Sequence, residues 1–252
     1  DLLGLPVDHA PQLSAWSRDA SDLLDPMATS GAIRRGSSSG VRSLVTVKRA
    51  HDRLASADGA GALAALVAAE ARGQVDEREV VTNVVSLLSA GLDTPIGLIG
   101  NAAVELARRP DLAHQLRDRP ERVATFVEEI ARLESPVQVI TRTCREPFEA
   151  PFGPVDRGDA LVLLLGCANR DPLVFDRPDE LVLERRPNPH LAFGRGIHRC
   201  VGVGIGRAFA IAAVDAVLAR WDELELDLER AVPRHHAVFR SYDHLPLRPG
   251  AA

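Results

Sequence analysis

Residues 193–202 read FGRGIHRCVG, and within them Cys200 is the side chain best placed for chemistry. Gly194, Gly196 and Gly202 surround it. Glycines allow turns closed to other residues and let a backbone come close to a flat ligand. The stretch that follows, Val203 to Arg220, has helical apolar spacing. A thiolate at that junction would receive backbone N–H groups and the positive end of the helix dipole, which stabilise an anion. Cys200 taken alone would be a buried free thiol, the common fate of a single cysteine.

A second constellation, SAGLDTP at residues 89–95, interrupts an apolar helical pattern. Pro95 has no N–H to return to the carbonyl of Gly91, which opens a gap for a hydroxyl or a water. Asp93 and Thr94 sit at that gap, and together they make a candidate proton relay. The competing reading is a proline kink with a solvated aspartate. A third constellation, Glu129 and Arg132, is spaced i, i+3 and so shares one helix face. Exposed, such a pair is worth only about 0.5 kcal/mol.

The elements that must carry these residues are mostly helical. Ala60 to Arg72 is alanine-rich with Gly73 as terminator. Asp76 and Glu79 form a capping box, and apolar periodicity then runs on to a stop at Pro110. The spacing predicts one long helix over about 76–109, ~50 Å at 1.5 Å per residue. Pro120 opens the helix that carries Glu129, over about 121–134, and Ser135-Pro136 ends it. Val137 to Thr143 and Ala160 to Leu165 read as short strands. Asn169 to Pro172 and Pro187 to Pro189 are turns, and Gly36 to Gly40 is a short flexible loop. The fold class is mainly α with a minor β component.

Bulk properties exclude several classes. A net charge of −5 and a pI near 5.9 argue against nucleic acid as a partner. Three scattered cysteines make no disulfide framework and favour a reducing, cytoplasmic setting. Cys144 and Cys167 read as buried structural thiols. No apolar run approaches the ~20 residues of a membrane span, so no membrane is expected, and residue 1 opens no signal pattern.

The cysteine segment resembles the ligand loop of the cytochrome P-450 family, with Phe193, Gly194, Gly196, His198, Cys200 and Gly202 in place. These five neighbours set the free-thiol reading of Cys200 aside. EEIARLESPVQ resembles the family's Glu-x-x-Arg helix, and Ala90, Gly91, Asp93 and Thr94 match its acid–threonine pair. Pro95 departs from the commoner residue at its position. The resemblance runs from about residue 2 to the C-terminus, and family members are longer. It therefore implies a single incomplete P-450 domain over 1–252, the C-terminal portion of the fold. With Asp1 first and Met27 the only methionine, the chain reads as N-terminally truncated.

The resemblance implies haem b (iron protoporphyrin IX) with Cys200 as the metal ligand. Arg142 and His198 match propionate contacts, and Phe193 packs near the sulfur. Glu129 and Arg132 imply a buried supporting network whose third member is Arg185, with Arg186 as the alternative. Asp93 and Thr94 become the proton relay. The expected activity is that of a bacterial haem-thiolate monooxygenase inserting one oxygen atom from O2 into a small apolar substrate. Its electrons would come from a ferredoxin or flavodoxin-type donor at Arg195 and Arg199, which otherwise form a solvated basic rim. His190 is expected to bond the local backbone. Two rivals stand beside this reading. One is a non-catalytic P-450-like module; the other keeps haem but runs coupling, isomerisation or dehydration, as a change next to Thr94 would favour.

Overall fold

A computed structural model describes residues 2–5, 7–54, 61–220 and 224–249. Helices take up 58% of the chain and strands 11%, the balance the sequence predicts. The residues group into two compact units, Asp1–Asp93 and Thr94–Ala252.

In the first unit, α1 (Ala10–Ser21) packs along α2 (Ser30–Leu54). The expected loop at Gly36 to Gly40 is instead the interior of α2. Tertiary contact overrides the weak helix propensity of glycine and serine. A Cβ on Gly36 would lie 2.7 Å from the Asp19 carbonyl oxygen, and Ser39 Oγ donates to Asp19 Oδ2 at 2.8 Å. Small residues are what let the two helices touch. α3 (Gly61–Ala71) ends at Gly73, whose φ is 68°. Val47, Ala50, Leu63, Val80, Val81 and Val84 form the core of this unit.

α4 (Glu77–Arg108) begins at the expected capping box. Glu79 N–H donates to Asp76 Oδ1 at 2.7 Å, and Asp76 N–H to Glu79 Oε2 at 2.9 Å. The helix continues through Pro95 without a break in its assignment. Among the described residues α4 is long and apolar enough, by length and composition, to cross a bilayer, where no such run is expected from the sequence. Its last turns behave as a core helix. Asn101 is buried and donates to the carbonyls of Glu134 and Arg240, and buried Glu105 pairs with Arg108 and Arg109.

In the second unit Pro110 both stops α4 and opens a further helix, α5 (Pro110–Asp118), which the sequence reading does not anticipate. Pro120–Arg122 forms a single 3-10 turn before α6 (Val123–Leu133). The two expected strands, β1 (Val139–Thr143) and β4 (Ala160–Leu164), pair antiparallel with Ile140 opposite Leu163. Between them lies a hairpin of β2 (Phe148–Ala150) and β3 (Gly153–Val155). Leu165 starts a one-turn helix, α7 (Leu165–Ala168), rather than ending the strand. Cys144 is buried as expected, but Cys167 on α7 is exposed; a four-residue helix has little surface to hide. α8 (Val203–Ala219) follows the cysteine loop. Two short pairs, β5 (Leu224–Leu226) with β8 (Leu247–Pro249) and β6 (Val232–Pro233) with β7 (Tyr242–His244), complete the unit. Its core joins α4, α5, α6 and α8 through Leu106, Leu116, Phe126, Ile130 and Val214.

Candidate haem-ligand site

The site is built outward from α6. Arg132 is fully buried and all of its donors are used. Nε and Nη2 donate to the two oxygens of Glu129, each at 2.9 Å. Nη1 donates to the carbonyls of Asn169 and Pro178, and Nη2 also to that of Glu180. Arg185, not Arg186, completes the group, with Nε 2.9 Å from Glu129 Oε1. Glu129 further accepts from the Val182 N–H and from Asn188 Nδ2. Burial pushes its carboxyl up, but the Arg132, Val182 and Arg185 donors outweigh that and hold it below the usual carboxylate range. Buried Phe175 lies beneath both guanidinium groups, 5.2 Å and 5.8 Å from ring centroid to Cζ. The chain from Asn169 to Leu191 is thus wound around two arginines. Asn169 Oδ1 ties its far end by accepting from the Leu191 N–H at 2.7 Å.

The cysteine loop begins two residues later. Gly194 has a φ of 67°, and a Cβ there would lie 2.9 Å from the His198 carbonyl oxygen. Glycine is therefore required on two counts: handedness and space. Cys200 N–H donates to the Phe193 carbonyl at 2.8 Å and closes the turn. Gly196–His198 forms one 3-10 turn, and His198 is exposed. Cys200 is exposed as well, and several large apolar side chains near it in sequence are also exposed. Ile197 exposes 97% of its surface, Val201 87%, Ile205 49% and Phe209 48%. Val201 lies in the turn before α8, and Ile205 and Phe209, four residues apart on α8, share one face. An open thiol on a close-turning glycine loop suits a flat macrocycle bound through sulfur. The residues present fit a haem.

A second cluster on α6, which sequence reasoning missed, holds the loop from behind. Glu128 accepts from Arg207 Nε at 2.6 Å and Nη2 at 2.7 Å, and lies 3.1 Å from His190 Nε2. Arg207 Cζ sits 5.0 Å from the Phe193 ring centroid. His190 Nδ1 also accepts from the Ala192 N–H, at 3.3 Å, the local bond expected of it. Burial raises the Glu128 carboxyl, but its His190 and Arg207 bonds reverse the shift and hold it low. The signal was in view: Glu128 adjoins Glu129, and Arg207 is a charge on an apolar helix. Only the fold shows that they meet.

The remaining residues are placed as follows. Arg142 lies on β1, half-buried, and donates to its neighbour's carbonyl, Thr141 O, at 2.8 Å. Asp93 and Thr94 are consecutive and half-buried on α4, where the two compact units divide. A Cβ on Gly91 would meet nothing within 4 Å, so the backbone there faces open space. Arg195 and Arg199 are exposed. With Asn188, Pro189, His190 and Arg207 they line an open hollow of about 520 Å³.

Known proteins resemble this chain in sequence and in fold. Residues 45–226 match the family described as Cytochrome P450. The chain is 30% identical over 248 residues to the biotin biosynthesis cytochrome P450 of Bacillus subtilis, covering 98% of this chain and 62% of that protein. It is 32% identical to the polyketide biosynthesis cytochrome P450 PksS of the same organism, covering 98% and 61%. The chain thus spans about three fifths of the length of these relatives. Among solved structures, that of P450BioI with a hexadec-9Z-enoic acid ligated acyl carrier protein aligns with a TM-score of 0.92 at 29% identity. It covers 98% of this chain and 64% of that one. The crystal structure of CalO2 gives 0.89 at 35% identity, covering 99% and 64%.

Proposed function

This chain belongs to the cytochrome P450 family, and we propose that it carries the haem-holding portion of a haem-thiolate monooxygenase. The reaction proposed is insertion of one oxygen atom from O2 into a small apolar molecule. The observation that supports it best is the open Cys200 thiol on its glycine loop, with Ile197, Val201, Ile205 and Phe209 also exposed. The proposed cofactor is haem b, which when bound supplies the redox chemistry that side chains lack.

The work of the protein follows from its residues. Cys200 would hold the iron through its sulfur, and Gly194 lets the loop turn tightly enough to present that sulfur. Phe193 restricts water at the sulfur, which tunes a metal through its surroundings. Arg142 and His198 are the proposed partners of the propionates, to which they offer charged or hydrogen-bonding donors. Thr94 would hold a proton at its hydroxyl, and Asp93 beside it would exchange protons with solvent. Glu129, Arg132 and Arg185 keep the chain that delivers the loop in one conformation. A ferredoxin or flavodoxin-type donor, acidic on its docking face, would meet Arg195 and Arg199.

The deciding experiment is the absorption spectrum of the chain with added haemin, reduced and exposed to carbon monoxide. The expected result is the red-shifted Soret band of a thiolate–carbonyl complex, lost in Cys200→Ser while helical content is retained. The same band in Cys200→Ser would overturn the ligand assignment.

A further inference from the structure

The Glu129 group accounts for how the loop is delivered, but not for how the Phe193 ring is aimed. Phe193 belongs to the sulfur-bearing turn, because its carbonyl accepts the Cys200 N–H. Three contacts fix its ring. The Arg207 guanidinium lies 5.0 Å from its centroid, and the His190 ring centroid is 5.9 Å away, tilted by 50°. A Cβ on Gly206 would come within 3.9 Å of Phe193 Cε1, so α8 itself passes close to the ring. Arg207 and His190 are both bound by Glu128, the arginine through two parallel bonds. A bidentate arginine–carboxylate pair fixes a plane as well as a distance.

We infer that Glu128, Arg207 and His190 form a positioning triad, which sets the Phe193 ring and the Cys200 turn and tunes the electron richness of the sulfur. This rests on the haem-ligand reading of Cys200 for its electronic consequence, but not for its structural one. The triad ties α6, α8 and the loop at one carboxylate. The Arg207 cation lies against the ring of Phe193, the residue whose carbonyl closes the Cys200 turn, and the Glu128 anion offsets that cation. Removing either charge therefore leaves the other uncompensated beside the site, with opposite sign. Loss of the cation makes the sulfur more electron-rich and lowers the reduction potential of a bound iron; loss of the anion raises it.

The test has two readings on the 252-residue chain. In the haem-free protein, Arg207→Gln should speed amide exchange at Cys200 by about tenfold while α6 amides stay protected. Arg207→Lys, which keeps charge but loses the paired bonds and planar stacking, should fall between. In the haem-loaded protein, the midpoint potential should fall in Arg207→Gln and rise in Glu128→Gln. Unchanged exchange at Cys200, or an equal rise throughout α6, would overturn the positioning role. Potentials that move the same way in both variants would overturn the tuning role, since a merely structural defect acts in one direction. If the parent shows no thiolate–carbonyl band, it is the haem reading that fails. The exchange measurement then still decides the triad.

Discussion

Two neighbouring regions of the second unit obey opposite rules. Glu129 and Arg132 are themselves fully buried, and every donor of Arg132 has an acceptor. Around Cys200 the side chains stand open, with Ile197 almost wholly exposed. The connection between them is short: Asn188 donates to Glu129, and His190 reaches Glu128. A buried charged network carries a large penalty if any member is lost and therefore tolerates one arrangement. An exposed apolar loop has no such constraint of its own. The lesson is that rigidity is concentrated in the buried network and is lent from there to the open loop.

The sharpest way to break that contrast is Glu129→Ala. It strands two buried guanidinium groups, and removing one partner of a buried pair costs about 3–5 kcal/mol. Thermal melting should show loss of most of the folded population. A variant that melts with the parent would mean the network contributes no rigidity. Gly194→Ala acts on the other region and should cost less, about 1–3 kcal/mol for an alanine held at positive φ, with the 2.9 Å approach to the His198 carbonyl added. Denaturant titration should show a modest change in stability, and haem uptake should fall far more than stability does.

Protonation separates regions as well. The Glu129 carboxyl is held below its usual range, so its contribution is complete above the unfolded value, ~4.3, and fades only as pH falls through the depressed one. In the first unit, buried His51 on α2 lies 2.6 Å from Glu70 on α3 and 3.3 Å from Asp52. Burial lowers its pKa, but those carboxylates prevail and raise it. A raised histidine stabilises fully below its unfolded value, ~6.5, and loses that contribution as pH rises through the folded one. Exchange protection in α2 should therefore weaken as pH rises above ~6.5, and His51→Gln should flatten that dependence. A dependence that persists in the variant would assign it to another group.

What the sequence showed and what it hid divide along range of interaction. The capping box at Asp76, the run of α4 and the Glu129–Arg132 spacing are local, and each was legible from a few adjacent letters. So was the cysteine loop, because its glycines answer to backbone geometry within ten residues. The interior of α2 was misread, since Gly36 and Ser39 are helical only because α1 lies against them. α5 was hidden by its own Pro110, which ends one helix and starts the next. Asn169 and Asn188 read as turn residues, and they and Phe175 gain their meaning from a charged network assembled only after folding. Glu128 and Arg207 lie 79 residues apart, and neither letter names the other.

The smallest expected effect on stability tests the open side of the comparison most directly. Val201→Ser changes a side chain that exposes 87% of its surface. Substitutions at such positions usually stay within about 0.5 kcal/mol, so melting should be indistinguishable from the parent. If Val201 does no more than decorate the surface, haem uptake should be unchanged too. If it frames a macrocycle at Cys200, a polar hydroxyl replaces apolar contact, at ~25 cal/mol for each Å² of apolar area that binding would have covered. Haemin titration followed at the Soret band should then show several-fold weaker uptake with normal folding. That pairing, intact stability with impaired binding, is the reverse of what Glu129→Ala should give. The two variants together measure how completely support and chemistry have been separated.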